Sequence, residues 1–76
     1  MFFKKFKVGD KVQYVDGVYH YDSYGSKPTG YQHRNLPVYV TKVNKLGLYP
    51  YHISTESQLG CGDLGWVKAK QLMKES

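Results

Sequence analysis

The sequence is poor in cysteine, in arginine and in long apolar runs. A single cysteine, Cys61, excludes an intramolecular disulfide and a zinc site built from several thiolates, so the fold must depend on packing. Arg34 is the only arginine among eleven basic residues, which argues against base-specific reading of DNA by bidentate arginine contacts. No apolar run approaches the ~20 residues of a membrane span, and none near Met1 forms the apolar core of a signal peptide. We therefore expect synthesis in the cytoplasm and no membrane insertion, and if the chain works outside the cell, something else must deliver it.

Tyrosine and lysine are what the chain has in abundance. Its 76 residues allow one small domain, because so short a chain cannot divide its buried surface between two cores. Eight tyrosines, three phenylalanines and one tryptophan make up 16% of the chain, so we expect a core built on tyrosine and valine. The net charge of +5 favours an anionic partner, whether nucleic acid, anionic lipid or a wall polymer. Lysines 4, 5, 7 and 11 form a basic cluster that suits either steering toward such a polymer or a solvated face.

Short β-rich runs between turn residues predict an all-β domain, a small barrel with long loops. The predicted strands cover residues 6–15, 18–21, 37–44, 48–54 and 65–68, and one helical turn is predicted near 69–73. Asp16-Gly17 predicts a tight hairpin between the first two strands. Pro50 cannot donate to a strand ladder, so its strand is expected at an edge or a bulge. Residues 22–35 are predicted to form a long binding loop and residues 55–63 a second loop.

Five motifs follow one another between about residues 6 and 72, and their order is more specific than any one of them. They are Val8-Gly9-Asp10-Lys11-Val12, Tyr19-His20-Tyr21, the run from Val38 to Val43, Pro50-Tyr51-His52-Ile53, and Gly65-Trp66-Val67 leading into a short polar turn that ends at Leu72. In this order the chain resembles the bacterial SH3-like (SH3b-type) cell-wall-binding modules of phage and prophage endolysins and N-acetylmuramoyl-L-alanine amidases of Gram-positive bacteria.

The resemblance implies one domain over residues 1–76, a five-stranded SH3-like barrel with its core at about 6–72. It further implies a module that binds peptidoglycan without cutting it, targets a cell-wall hydrolase to the Gram-positive wall, and acts at the wall only after release from the cytoplasm. Whether that hydrolase is fused to the chain or recruited by it is left open, as is a chain acting alone.

Aromatic side chains are the candidate ligand-binding groups, because tyrosine offers a flat apolar face and a hydroxyl in one stiff side chain. The residues predicted to contact the glycan or the stem peptide are Tyr19, Tyr21, Tyr24, Tyr31, Tyr51, His52 and Trp66. Packing is the competing interpretation. It is favoured for Tyr14 and Tyr39 on regular strands, and we also favour it over a ligand platform for Trp66.

The sequence predicts no metal site, no cofactor and no enzymatic activity. His20, His33 and His52 lack the spacing of a metal-binding pair, and Cys61 sits between glycines with no base beside it in the sequence. The carboxylates lie in turns and loops. The alternative function is that of an intracellular phage-encoded barrel of the same class, binding nucleic acid or a host protein through a lysine and tyrosine surface. We rank nucleic acid below peptidoglycan as the partner.

Overall fold

A computed structural model describes residues 5–32, 34–57, 60 and 62–74. The described strands are β1 (Lys11–Tyr14), β2 (Gly17–His20), β3 (Pro28–Gln32), β4 (Leu36–Val43), β5 (Tyr51–Ser54), β6 (Asp63–Val67) and β7 (Leu72–Lys74), with a 3₁₀ turn over Ala69–Gln71. They form one antiparallel sheet in the order β3-β2-β6-β5-β4-β1-β7. The all-β prediction is confirmed. Within these ranges no helix is long and apolar enough to cross a bilayer.

The core follows from the alternation of inward and outward side chains along five of the strands. Its buried members are Phe6, Val12, Tyr14, Val38, Val40, Tyr51, Ile53, Val67 and Leu72. Apart from Phe6, all of them lie on β1, β4, β5, β6 and β7, whereas β2 and β3 supply only partly buried Tyr19 to its margin. Tyrosine and valine make up most of this core, as their abundance in the sequence predicted.

The Asp16-Gly17 pair bends the chain but does not close a hairpin. β1 pairs with β4 and β7, and β2 pairs with β3 and β6. A tight primed turn of the predicted type needs positive φ at both central residues, but only Gly17 has it, at 117°. The bend is held instead by Tyr14, whose buried hydroxyl donates to the Gly17 carbonyl, and burial raises the pKa of that hydroxyl. The hairpin prediction is therefore wrong.

Two strands lie where the sequence predicted loop or helical turn. β3 occupies the second half of the predicted 22–35 loop, as an edge strand paired with β2. Because its side chains are mostly exposed, no apolar alternation marks it. Thr29 helps to attach it, since its Oγ1 donates to the Leu64 carbonyl at 2.9 Å. β7 follows the 3₁₀ turn directly and begins at Leu72, where the last residues of the helical turn were predicted.

The sheet differs from the predicted barrel in strand number and closure. It has seven strands rather than five, and the described strands leave β3 and β7 as open edges, so a closed five-stranded barrel is not confirmed. β5 lies between β4 and β6, so the edge position predicted from Pro50 is wrong, but its pairing with both neighbours shifts register, as the bulge alternative predicted. Pro50 precedes the strand, where its missing N–H costs the ladder nothing, and its carbonyl accepts the Asn44 amide at 2.8 Å.

Candidate functional site

Two loops at the same end of the sheet pack against each other and build the base of the candidate site. We call them the docked loops: residues 21–27 between β2 and β3, and residues 44–50 between β4 and β5. Ser23 is buried at their contact. Its hydroxyl accepts from Asn44 Nδ2 at 2.7 Å, and its carbonyl accepts the Tyr49 amide at 2.8 Å. The backbone of each loop is therefore fixed by a polar group of the other.

A carboxylate orders the first docked loop from within. Asp22 Oδ1 accepts the backbone amides of Tyr24 at 2.9 Å and Ser26 at 3.2 Å. The side chain and the amide of Ser26 contribute most to holding the pKa of Asp22 below its ordinary value. The Tyr21 amide closes the loop by donating to the Lys27 carbonyl at 2.8 Å. A loop stabilised in this way presents its tyrosines at a small entropic cost to binding.

Four rings form a band across the face of the sheet that points away from the core. Strand pairing aligns His20 of β2, Trp66 of β6 and His52 of β5. The Trp66 and His52 rings meet edge to face with centroids 5.2 Å apart, and Tyr49 stacks on His20 at 4.0 Å with a 31° tilt. We call Tyr49, His20, Trp66 and His52 the aromatic row. It lies beside the docked loops because Tyr49 belongs to both.

Gly25 sets the position of Tyr49. The backbone of Gly25 has φ +80°, and a Cβ atom at this residue would lie 2.5 Å from Cε2 of the Tyr49 ring. The ring therefore rests directly on the glycine backbone. On the same ring, the ammonium group of Lys68 lies 5.2 Å from the centroid, within the range of a cation–π contact.

His52 is held neutral beneath Trp66. It is buried, and its Nδ1 lies 2.7 Å from Oγ1 of Thr41. Burial lowers the pKa of His52; Asp63 opposes this shift and Lys42 adds to it. The ring is therefore uncharged at neutral pH and packs as an aromatic group.

The neighbouring hydroxyl of Ser54 is fully buried and donates to Asp63 Oδ1 at 2.9 Å. The proton of this hydroxyl is therefore used in the hydrogen bond to Asp63, and the group does not contact solvent. With Thr41, whose Oγ1 lies 3.3 Å from the Ser54 hydroxyl, it joins β4, β5 and β6 behind the aromatic row.

The structure brings four of the predicted site residues into this region. Tyr21 and Tyr24 are 65% and 63% exposed on the first docked loop. Lys27 Nζ lies 5.3 Å from the Tyr21 ring centroid, and the Tyr24 hydroxyl lies 3.5 Å from Asn44 Nδ2. His52 and Trp66 lie in the aromatic row. Trp66 is half-buried on the face opposite the core, so the core position favoured for it from sequence is wrong.

Three predicted site residues lie elsewhere. Tyr19 points toward the core side, where its ring meets Tyr14 at 5.5 Å. Tyr51 is 8% exposed in the core, and its hydroxyl accepts the Phe6 amide at 3.3 Å. Tyr31 is exposed on edge strand β3, paired with Val18 toward the end of the β2–β3 ribbon that is distant from the docked loops.

Sequence reasoning missed four residues that the structure adds to the site: His20, Asn44, Tyr49 and Lys68. Tyr49 was assigned to a strand, although Pro50 directly after it favours a strand start at residue 51. The Nδ1 atom of His20 is buried and has no hydrogen-bond partner within the part of the chain that the structure describes. The stacking of its ring on Tyr49 explains its position but not this unpaired nitrogen.

No group of three or more metal-ligating side chains occurs among the described residues. The predictions made for Lys4, His33 and Cys61 fall outside those residues. Comparison of the chain with protein-family models, curated proteins and solved structures finds no match.

Proposed function

We propose that the chain is a non-catalytic module that binds peptidoglycan of the Gram-positive wall through the docked loops and the aromatic row. The observation that carries the proposal is the convergence of exposed tyrosines and a half-exposed tryptophan on a surface fixed by loop-to-loop hydrogen bonds. Flat rings suit the C–H faces of sugars. The adjoining amide, hydroxyl and ammonium groups suit glycan hydroxyls and stem-peptide amides.

Each part of the surface has a chemical role in this proposal. The exposed rings of Tyr21 and Tyr24 and the half-buried ring of Trp66 give stacking area. Lys68 Nζ supplies donors at the rim, and Asn44 holds the two loops together through Ser23. Because His52 is neutral and buried, it supports Trp66 and does not meet the ligand itself. Tyr51 has the corresponding role in the core, where it supports the start of β5 beside the second docked loop.

We also propose that the fold is an SH3-like variant of five core strands with an added ribbon. The five strands that supply the buried core are β1, β4, β5, β6 and β7, and the β2–β3 ribbon adds the first docked loop. The polar turn expected before Leu72 corresponds to the 3₁₀ turn over Ala69–Gln71, with β7 starting at Leu72. These two features support the family resemblance. In such a family the module would direct a fused or recruited phage or prophage hydrolase to the wall after release from the cytoplasm.

A sacculus-binding experiment tests the proposal. Purified protein is sedimented with Gram-positive sacculi, with and without teichoic acid, at low and high salt. Tyr21→Ala and Tyr24→Ala are expected to weaken binding at least tenfold each, about 1.4 kcal/mol, with unchanged thermal stability because both side chains are exposed.

Tyr31→Ala is the matched control, because this exposed tyrosine lies at the other end of the ribbon. It should bind as the parent chain does. Absence of binding to teichoic-acid-free sacculi, or equal losses in all three variants, would refute the proposed site.

Nucleic-acid binding is the second candidate, favoured by two lysine–tyrosine pairs. Lys27 lies over Tyr21 and Lys68 over Tyr49, an arrangement that suits phosphate contact beside base stacking. A single-stranded oligonucleotide shift that falls steeply with salt, together with no sacculus binding, would favour this candidate. Stacking on sugars predicts the reverse, namely sacculus binding that persists at high salt and no oligonucleotide shift.

A further inference from the structure

The strand register sorts charge to the two ends of the sheet. The Gly9 amide donates to the Val40 carbonyl at 2.8 Å, and the residues before Gly9 share a groove with Val43 at the carboxyl end of β4. Lys74 pairs with Val12 near the same end. The basic end, as we call it, carries the lysines Lys5, Lys7, Lys45 and Lys74. The opposite end carries the carboxylates Asp16, Glu56 and Asp63, which follow β1, follow β5 and begin β6, together with Arg34, which precedes β4.

Among the residues that the structure describes, no carboxylate lines the grooves at the basic end. A groove of about 630 Å³ lies between residues 5–8 and the second docked loop, and its described lining includes Lys5, Lys7 and Lys45. An adjoining groove of about 330 Å³ shares Lys5 and adds Lys74. Asp10 and Asp22 also lie toward this end. Each accepts backbone amides of its own turn, Asp10 from Lys7 and Asp22 from Tyr24 and Ser26.

Apolar side chains project from the same end. Leu46 is 90% exposed beside Lys45, Leu48 is 68% exposed on the same loop, and Val8 is 62% exposed beside Lys7. The floor of the larger groove is apolar as well, formed by Phe6, Val43, Pro50 and Tyr51. An isolated exposed leucine needs no explanation, but three aliphatic side chains beside clustered lysines form an amphipathic surface.

We propose that the basic end docks on an anionic lipid bilayer, with the lysines at the phosphate level and Leu46 entering the boundary between headgroups and acyl chains. Adsorption of this kind draws on buried apolar area and on attraction to anionic lipid together. The exposed leucines favour a bilayer over a nucleic acid or a polyphosphate polymer, because neither polymer provides an apolar environment in which aliphatic side chains can be buried. The proposed contact is peripheral, and no part of the basic end crosses the bilayer. It is also independent of the proposed wall-binding site, because it uses different side chains.

Vesicle flotation with the full chain tests this. The probes are vesicles of phosphatidylcholine containing phosphatidylglycerol and vesicles of phosphatidylcholine alone. We expect binding to the anionic vesicles only. Removing one lysine should weaken partitioning about fivefold, so the K5Q/K7Q double variant should lose about 25-fold. Leu46→Ser should lose about tenfold, and Leu46→Trp should strengthen binding.

Lys70→Gln is the control for the loss of a single lysine, expected to cost about fivefold at the basic end, because Lys70 is exposed on the 3₁₀ turn, next to Gln71, whose amide contacts the Val18 carbonyl on β2. It should change partitioning less than twofold. No binding to anionic vesicles overturns the proposal. So does a loss in K5Q/K7Q without a loss in Leu46→Ser, since that result reports general attraction to polyanions. Displacement from vesicles by equal charge of poly-glutamate would likewise overturn it and identify an acidic peptide as the occupant. Sacculus binding measured on the same variants separates this outcome from failure of the wall-binding site.

Discussion

Replacing Gly25 by alanine tests how the candidate site is built. The residue has φ +80°, and the new Cβ atom would lie 2.5 Å from Cε2 of Tyr49. The variant therefore has two separate costs. A left-handed conformation costs an alanine about 1–2 kcal/mol. Displacing the Tyr49 ring also forfeits its stacking on His20 and its contact with Lys68, about 1–2.5 kcal/mol together. We expect the free energy of unfolding to fall by about 2–4.5 kcal/mol.

Gly9→Ala separates the two costs. Gly9 has a comparable φ of +97°, but nothing lies within 4 Å of a Cβ atom built there. This variant should lose only the backbone contribution, about 1–2 kcal/mol. Chemical denaturation of both variants measures the difference, which reports on Tyr49 alone.

Sacculus binding completes this test. Gly25→Ala should lose wall affinity under conditions where it is still folded, and Gly9→Ala should retain it. If the two variants are equally destabilised and both bind sacculi normally, then Tyr49 is not fixed by Gly25, and the reasoning that places it in the site is wrong.

Three further predictions concern the core and the buried histidine. Ile53→Ala should lower the free energy of unfolding by about 2–5 kcal/mol in urea denaturation, because the side chain is fully buried between neighbouring strands; a loss below 1 kcal/mol would contradict the described core. Tyr51→Phe removes the acceptor of the Phe6 amide and should cost about 1 kcal/mol without changing sacculus binding; weaker binding would restore Tyr51 as a ligand contact. The pKa of His52 is lowered in the folded chain, so the unfolded chain takes up the proton first as the pH falls. The free energy of unfolding should therefore be constant above the ordinary histidine pKa of about 6.5 and should fall as the pH drops below that value. Unfolding free energies between about pH 7 and about pH 5 measure this slope, and an equally steep slope in His52→Gln would show that another group causes it.

Side-chain alternation and turn residues made the central strands predictable. β4 carries valines at the alternate positions 38 and 40, and β1 and β6 each carry one valine in a short run next to a turn; the all-β class followed from these runs. The edge strands β3 and β7 were not predictable in the same way. An edge strand is held by backbone pairing on one side and buries few side chains, so its composition resembles a loop. The sequence of β3, with Pro28 and Gly30, is an instance.

The candidate site was predictable only where loop position alone decides exposure. Tyr24 lies in the turn-rich segment that was predicted as a loop, and the structure exposes it, whereas Tyr21 was predicted on a strand and is exposed just after the end of β2. For Tyr51 and Trp66 the outcome depended on which face of the sheet each side chain takes. A single apolar strand residue does not specify that face. Val67 points into the core, so Trp66 beside it points outward, but the larger ring made the opposite assignment more attractive from sequence.

The second docked loop connects the two proposed surfaces, and its construction explains how one short segment serves both. Asn44 and Tyr49 at its ends are anchored to Ser23, so the residues between them are held at a fixed projection from the sheet. Lys45 and Leu46 lie in that middle part and face the basic end, whereas Tyr49 faces the aromatic row. The two surfaces share the hydrogen bonds to Ser23 but use different side chains. Substitutions at Leu46 should therefore leave wall binding intact, whereas loss of the Ser23 hydrogen bonds should impair both surfaces together.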